Sequence, residues 1–170
     1  MKNINIGLFG FGNVGHGLYD VLKRINSSHV HIKRVCVRDI NKDRGVKAEF
    51  TSNPDDIFED KDINLIVEVI DDADAAYDIV KRALKSRIPV VSGNKKMLGH
   101  HILELIDLQE QFNTPLLYDA SACGSIPVIR NLEEYYDNDL LTSVKGILNG
   151  SSNFILSAKP NSCARRSATS

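Results

Sequence analysis

Two short runs carry the residue types and spacings that chemistry needs. Gly10-Phe11-Gly12-Asn13-Val14-Gly15 places three glycines at the spacing of a turn that cradles a dinucleotide pyrophosphate. Gly10 makes the tight turn, Gly12 lets backbone approach the phosphates, and Gly15 lets the following helix pack closely on the strand. The free N–H groups and positive dipole end of that helix then face the anion. Asn94-Lys95 follows a short apolar run, and a lysine there has a second chemistry. Lysine titrates at about 10.4 in water, and burial beside apolar groups or other cations lowers that value, allowing proton exchange near neutral pH. An ammonium at this position would stabilise or protonate an alkoxide developing during hydride transfer to a carbonyl. Lys96 beside it reads as surface.

The glycine run gains its meaning from the elements that must hold it. A strand over Ile4–Phe9 leads in and an amphipathic helix over Val14–Ile25 leads out. Further along, strands are expected at 30–38, 64–69, 89–92 and 115–118, with helices at about 73–86 and 101–112. The stretch 39–50 between the second strand and NLIVEV reads as polar and irregular. Alternating strands and helices imply an α/β fold, a doubly wound, mostly parallel Rossmann-type sheet with right-handed crossovers. Ligands of such sheets lie beyond the carboxyl ends of the strands, so function should collect just after Phe9, Arg38, Val69, Ser92 and Tyr118. Past residue 120 the pattern changes. Pro127 opens a helix to about Tyr136, Leu141 to Leu148 resembles a strand, and 150–154 caps a further helix. The expected organisation is a dinucleotide-binding domain over 1–125, an incomplete α+β substrate and dimerisation domain over 126–157, and a disordered tail over 158–170.

Composition narrows the partners. The chain has 170 residues, 42% of them hydrophobic, and a net charge of -1 with acids and bases interspersed. That balance points to neither nucleic acid nor membrane as partner. Three widely spaced cysteines, Cys36, Cys123 and Cys163, read as reduced thiols of a cytoplasmic protein. The five histidines lack zinc-ligand spacing and read as surface or capping groups. The Lys/Arg run at 81–87 reads as solvated surface.

At the end of the second strand, Asp39 suits a ribose 2′-hydroxyl and Arg38 a 2′-phosphate, with Lys42 and Arg44 adding positive charge. The expectation is NADP, with Arg38 as phosphate partner and NAD tolerated. Otherwise this is a solvated charged loop.

Several segments together resemble homoserine dehydrogenase. They are GFGNVG with its helix, VVSGNKKM at 90–97, LLYDASACGSIPVIRNLEEY at 116–135 and GILNGSSNFIL at 146–156, in order over residues 4–157. The resemblance implies NAD(P)-dependent interconversion of L-aspartate 4-semialdehyde and L-homoserine, on the route to threonine and methionine, by a cytoplasmic homodimer. The expected cofactor contacts are Gly10, Phe11, Gly12, Asn13, Val14, Gly15, Arg38, Ser92, Asn94 and Lys95, and the resemblance also implies that Lys95 lies beside the reaction centre. Gly150 and Ser151 would line the substrate. Asp119, Ala122, Gly124 and Ile126 would hold a monovalent cation, Asp119 standing where the family usually has Glu. At 71–75 the chain reads Asp-Asp-Ala-Asp-Ala where many members have a Gly-Gly-x-Glu-Pro-like turn. The family's substrate domain continues beyond this chain with acidic residues and a further lysine. The abrupt change after Ser157 reads as a truncation or frameshift, so cofactor binding is expected to survive better than turnover. A second expectation, from another class, is a non-catalytic dinucleotide-binding module or one half of a split enzyme.

Overall fold

A computed structural model of the chain describes residues 3–118, 126, 128–136 and 140–146. Two compact units, Met1–Ser121 and Ala122–Ser170, are considered separately.

The first unit is built on β1 (Ile4–Phe9), whose apolar residues alternate between two faces. Ile6 and Leu8 join Val35, Val37 and Val67 in one buried cluster; Phe9 joins Cys36, Ile66 and Val90 in another. That period of two, buried on both sides, is the signature of a strand sandwiched between helix layers. One layer is α1 (Asn13–Ile25), which presents Leu18 and Leu22 to the first cluster. The other is formed by α3 (Ala73–Lys85) and α4 (Lys95–Phe112), through Ala76, Val80, Ala83, Leu84, Met97, Leu98 and Leu105.

Around β1 lie β2 (Val30–Cys36), β3 (Phe50–Thr51), β4 (Leu65–Glu68), β5 (Val90–Ser92) and β6 (Leu116–Leu117). Their order is β3-β2-β1-β4-β5-β6, and every pairing is parallel. The sheet reverses direction of winding between β1 and β4, so their carboxyl ends form the topological switch point where such sheets take ligands.

Two short elements lie outside the expected pattern, and one helix starts earlier than expected. The stretch before NLIVEV is irregular only as far as β3, which exists because Val35 and Cys36 pair with Phe50 and Thr51. It is followed by the single turn α2 (Asp55–Phe58), which seals the core with Ile57. Burial of one such side chain is worth about 1.5–3 kcal/mol. The fourth main helix starts at Lys95 rather than His101, because Asn94 caps it and Met97 and Leu98 extend its buried face.

In the second unit, α5 (Val128–Tyr135) matches the helix expected after Pro127. Residues 141–146 are not a strand: they have no strand partner among the described residues, and Leu141 and Val144 are exposed. A single extended segment without a paired neighbour has no ladder to stabilise it. The expected helix near 150–154 and the tail 158–170 lie outside the described residues.

Candidate functional site

Three helices begin at the carboxyl edge of the sheet, and their first turns differ. Asp72 caps α3, its carboxylate accepting from the Ala75 N–H at 3.1 Å. Asn94 caps α4, its Oδ1 accepting from the Met97 N–H at 2.9 Å. The cap of α1 is Gly12, which has no side chain to offer, and the first turn of α1 contains no acid. The leading N–H groups of α1 and its positive dipole end are therefore directed at whatever occupies the space in front of them.

The three glycines of the turn serve different ends. Gly10 has φ +97°, a conformation that disfavours side chains, and a Cβ there would lie 2.9 Å from the Val69 carbonyl oxygen. A Cβ on Gly15 would strike the Gly10 carbonyl oxygen, so this glycine lets α1 lie against the turn. Gly12 is the opposite case. Its backbone is extended, and a Cβ would meet nothing within 4 Å, so glycine at this position leaves open room rather than relieving strain.

That room belongs to a cleft of about 780 Å³ at the ends of β1, β2 and β4. Gly10, Phe11, Gly12, Asn13 and Val14 form its floor, and Arg38, Asp39, Lys42 and Arg44 one rim. Phe11 also packs edge-on against Tyr19 and Phe50, which holds the turn on the first core cluster. Arg44 is committed to its own loop: it donates to the Lys42 and Asp39 carbonyls at 2.7 Å and lies over the Phe50 ring. Arg38 reaches toward the opposite rim, formed by Asp71 and Ala75, where its Nη2 donates at 2.8 Å to Oδ2 of Asp72, which does not itself line the cleft.

Ser92, Asn94 and Lys95 stand at the neighbouring end of β5 and do not line this cleft. Ser92 and Asn94 are buried, with their polar atoms turned inward. The Ser92 hydroxyl donates to Glu68 Oε2 at 2.6 Å, and its oxygen accepts from the Asn94 N–H at 3.2 Å. Asn94 Nδ2 donates to the Ile70 carbonyl at 3.0 Å. Lys95, the first residue of α4, is exposed rather than buried.

Glu68 is the residue that pattern reading missed. It is fully buried at the end of β4, and its Oε1 accepts from the Ile70 N–H at 2.8 Å. Burial pushes its carboxyl group above the ordinary carboxylate range, while bonds from Ser92 and Ile70 pull it back. The signal was available: a glutamate inside the apolar run NLIVEV has to find buried donors.

Asp119, Ala122, Gly124, Gly150 and Ser151 lie outside the described residues, and Ile126 is exposed. Among the described residues no cluster of His, Cys, Asp and Glu is arranged to hold a metal ion. No helix among them is long and apolar enough to cross a membrane. Cys36 is buried and unbridged. Within the Lys/Arg run, Lys81 pairs with Glu104 at 2.9 Å and Arg82 with Asp55 at 2.6 Å.

A six-stranded parallel sheet in this order, with a glycine turn between β1 and an uncapped α1, defines a Rossmann-type dinucleotide-binding domain. Residues 10–119 match the family description "Homoserine dehydrogenase, NAD binding domain", and residues 127–166 match "Homoserine dehydrogenase", a match that continues past Ser157. The chain belongs to the homoserine dehydrogenase family. It is 36% identical over 163 residues to homoserine dehydrogenase of Helicobacter pylori, an alignment covering 92% of this chain and 38% of that relative. The solved homoserine dehydrogenase of Thiobacillus denitrificans superposes with a TM-score of 0.78 at 31% identity, covering 92% of this chain and 38% of the other. A hyperthermophilic archaeal homoserine dehydrogenase in complex with NADPH shares the fold at TM-score 0.64 and 22% identity, covering 78% of this chain and 48% of that one. The chain thus spans about 38% of the length of the first two relatives.

Proposed function

We propose that the chain binds a nicotinamide dinucleotide along the carboxyl edge of its sheet, NADP in preference to NAD. In that role it serves the reversible interconversion of L-aspartate 4-semialdehyde and L-homoserine. The observation that carries this reading is the uncapped first turn of α1, set above the open space at Gly12. A pyrophosphate there completes the helix terminus that no side chain completes. The adenosine half then occupies the cleft between the two rims, where Arg38 and Lys42 meet a 2′-phosphate.

The residues at the end of β5 would face the nicotinamide half of the cofactor. The bound nicotinamide supplies or accepts the hydride. Lys95 directs its ammonium to the carbonyl oxygen of the aldehyde and stabilises the alkoxide that forms. Ser92 and Asn94 act indirectly, holding the first turn of α4 and therefore Lys95 in place. Gly150 and Ser151 line the substrate, and Asp119 with the carbonyls of Ala122, Gly124 and Ile126 takes a monovalent cation.

Fluorescence titration of the intact chain with NADPH and NADH tests the proposal. The expected result is binding of both, tighter for NADPH, with Arg38→Ala abolishing the difference while sparing NADH. A folded chain that responds to neither nucleotide at millimolar concentration overturns it, and unchanged relative affinity in Arg38→Ala overturns the role of Arg38.

A further inference from the structure

We propose that Asp72 is a positioning residue that tunes the choice between the two nicotinamide dinucleotides by competing with the 2′-phosphate for Arg38. The inference rests on the reading above that Arg38 is the phosphate partner. It begins from a contact between the loop after β2 and the loop after β4. Arg38 follows β2, Asp72 follows β4, and the guanidinium reaches across to the carboxylate at 2.8 Å.

The two partners are held differently. Asp72 is pinned, because its other oxygen caps α3 through the Ala75 N–H. That bond, followed by the attraction of Arg38, keeps its carboxyl group below the ordinary range, so it stays anionic at neutral pH. The Arg38 side chain is 82% exposed and can exchange partners without disturbing any packing. Arg44, the other arginine of the rim, is tied to two backbone carbonyls and an aromatic ring. Arg38 is therefore the guanidinium that can move, and Asp72 is the anion it has to leave.

A 2′-phosphate and a carboxylate seek the same planar fork of donors. Binding NADP through Arg38 means separating it from Asp72, whereas a 2′-hydroxyl makes no such demand. Asp72 thus weakens NADP binding selectively and narrows the gap to NAD.

The test is titration of the intact chain with NADPH and NADH, comparing wild type, Asp72→Asn, Arg38→Ala and the double variant. Asparagine retains an oxygen for the Ala75 N–H, so the helix cap survives. Asp72→Ser, which also caps, is the second variant if the first fails to fold by far-UV circular dichroism. The expected result is that Asp72→Asn raises the NADPH-to-NADH affinity ratio about fivefold, the scale of one exposed ion pair, with no rise in the Arg38→Ala background. An unchanged ratio overturns the proposal. So does an equal rise without Arg38, since the carboxylate would then act on the phosphate directly. In both of these outcomes the nucleotides still bind. A folded wild type that binds neither instead removes the dinucleotide reading on which the proposal stands.

Discussion

The Ser92 hydroxyl donates to Glu68 Oε2 across 2.6 Å, tying the carboxyl end of β5 to that of β4 through a fully buried carboxylate. The Gly93 N–H reinforces the tie by donating to the Glu68 carbonyl at 3.0 Å. Asn94 then continues the chain of bonds to Ile70 and to the first turn of α4. The corner that presents Lys95 is therefore anchored from beneath by an acidic side chain the sheet encloses.

Glu68 makes stability depend on pH. Burial raises its folded value above the ordinary 4.5. Between 4.5 and that raised value the folded chain holds a proton the unfolded chain has lost, so stability falls as pH rises through this window. Glu68→Gln lacks this slope. Urea unfolding over a pH series should show the variant gaining on wild type as pH rises above 4.5; parallel profiles contradict the assignment.

Two glycine substitutions should separate stability from binding. Gly15→Ala drives a Cβ into the Gly10 carbonyl oxygen and should destabilise by about 1–3 kcal/mol, as overpacking does. Gly12→Ala meets no neighbour within 4 Å, so its unfolding midpoint should stay at the wild-type value. Its NADPH affinity should nonetheless fall at least about tenfold, or 1.4 kcal/mol, because the methyl group enters the space assigned to the pyrophosphate. Unaltered affinity in Gly12→Ala would place the phosphates elsewhere.

Removing the Asn94 side chain deletes the cap of α4 and the bond to the Ile70 carbonyl together. Asn94→Ala should lower unfolding free energy by about 1–2 kcal/mol. Asn94→Ser keeps a cap acceptor and loses only the donor to Ile70, so its loss in the same urea assay should be smaller.

Between α3 and α4, Glu104 accepts from the Tyr77 hydroxyl at 2.5 Å and from Lys81 at 2.9 Å. Those hydrogen bonds, Tyr77 first, hold its carboxyl group below the ordinary 4.5. The stability it contributes is fully present above 4.5 and is lost as pH falls through the lowered value. Glu104→Gln should flatten part of the acid-side decline in thermal midpoint, a slope opposite in sign to that of Glu68.

Legibility followed the length and regularity of the pattern. β1 and β4 were readable as short apolar runs, and α1 and α3 because helical periodicity runs through each of them. β3 and α2 were not, because two and four residues carry no period. The start of α4 was placed at His101 rather than Lys95, although Asn94 is a good helix cap. Residues 141–146 show the converse error, an apolar pattern without a neighbouring strand among the described residues.

The order of residues alone determined the class of fold, the glycine turn and its helix, and the family, since each rests on local spacing or linear similarity. Tertiary structure decided which groups meet. Arg38 faces Asp72 across 34 positions of chain, and Glu68 receives Ser92 across 24, because parallel strands bring the loops after β2, β4 and β5 to one edge. Pattern reading detects periodicity along a strand or helix, whereas a salt bridge or buried hydrogen bond between distant loops depends on crossover and register, which exist only once the sheet has assembled.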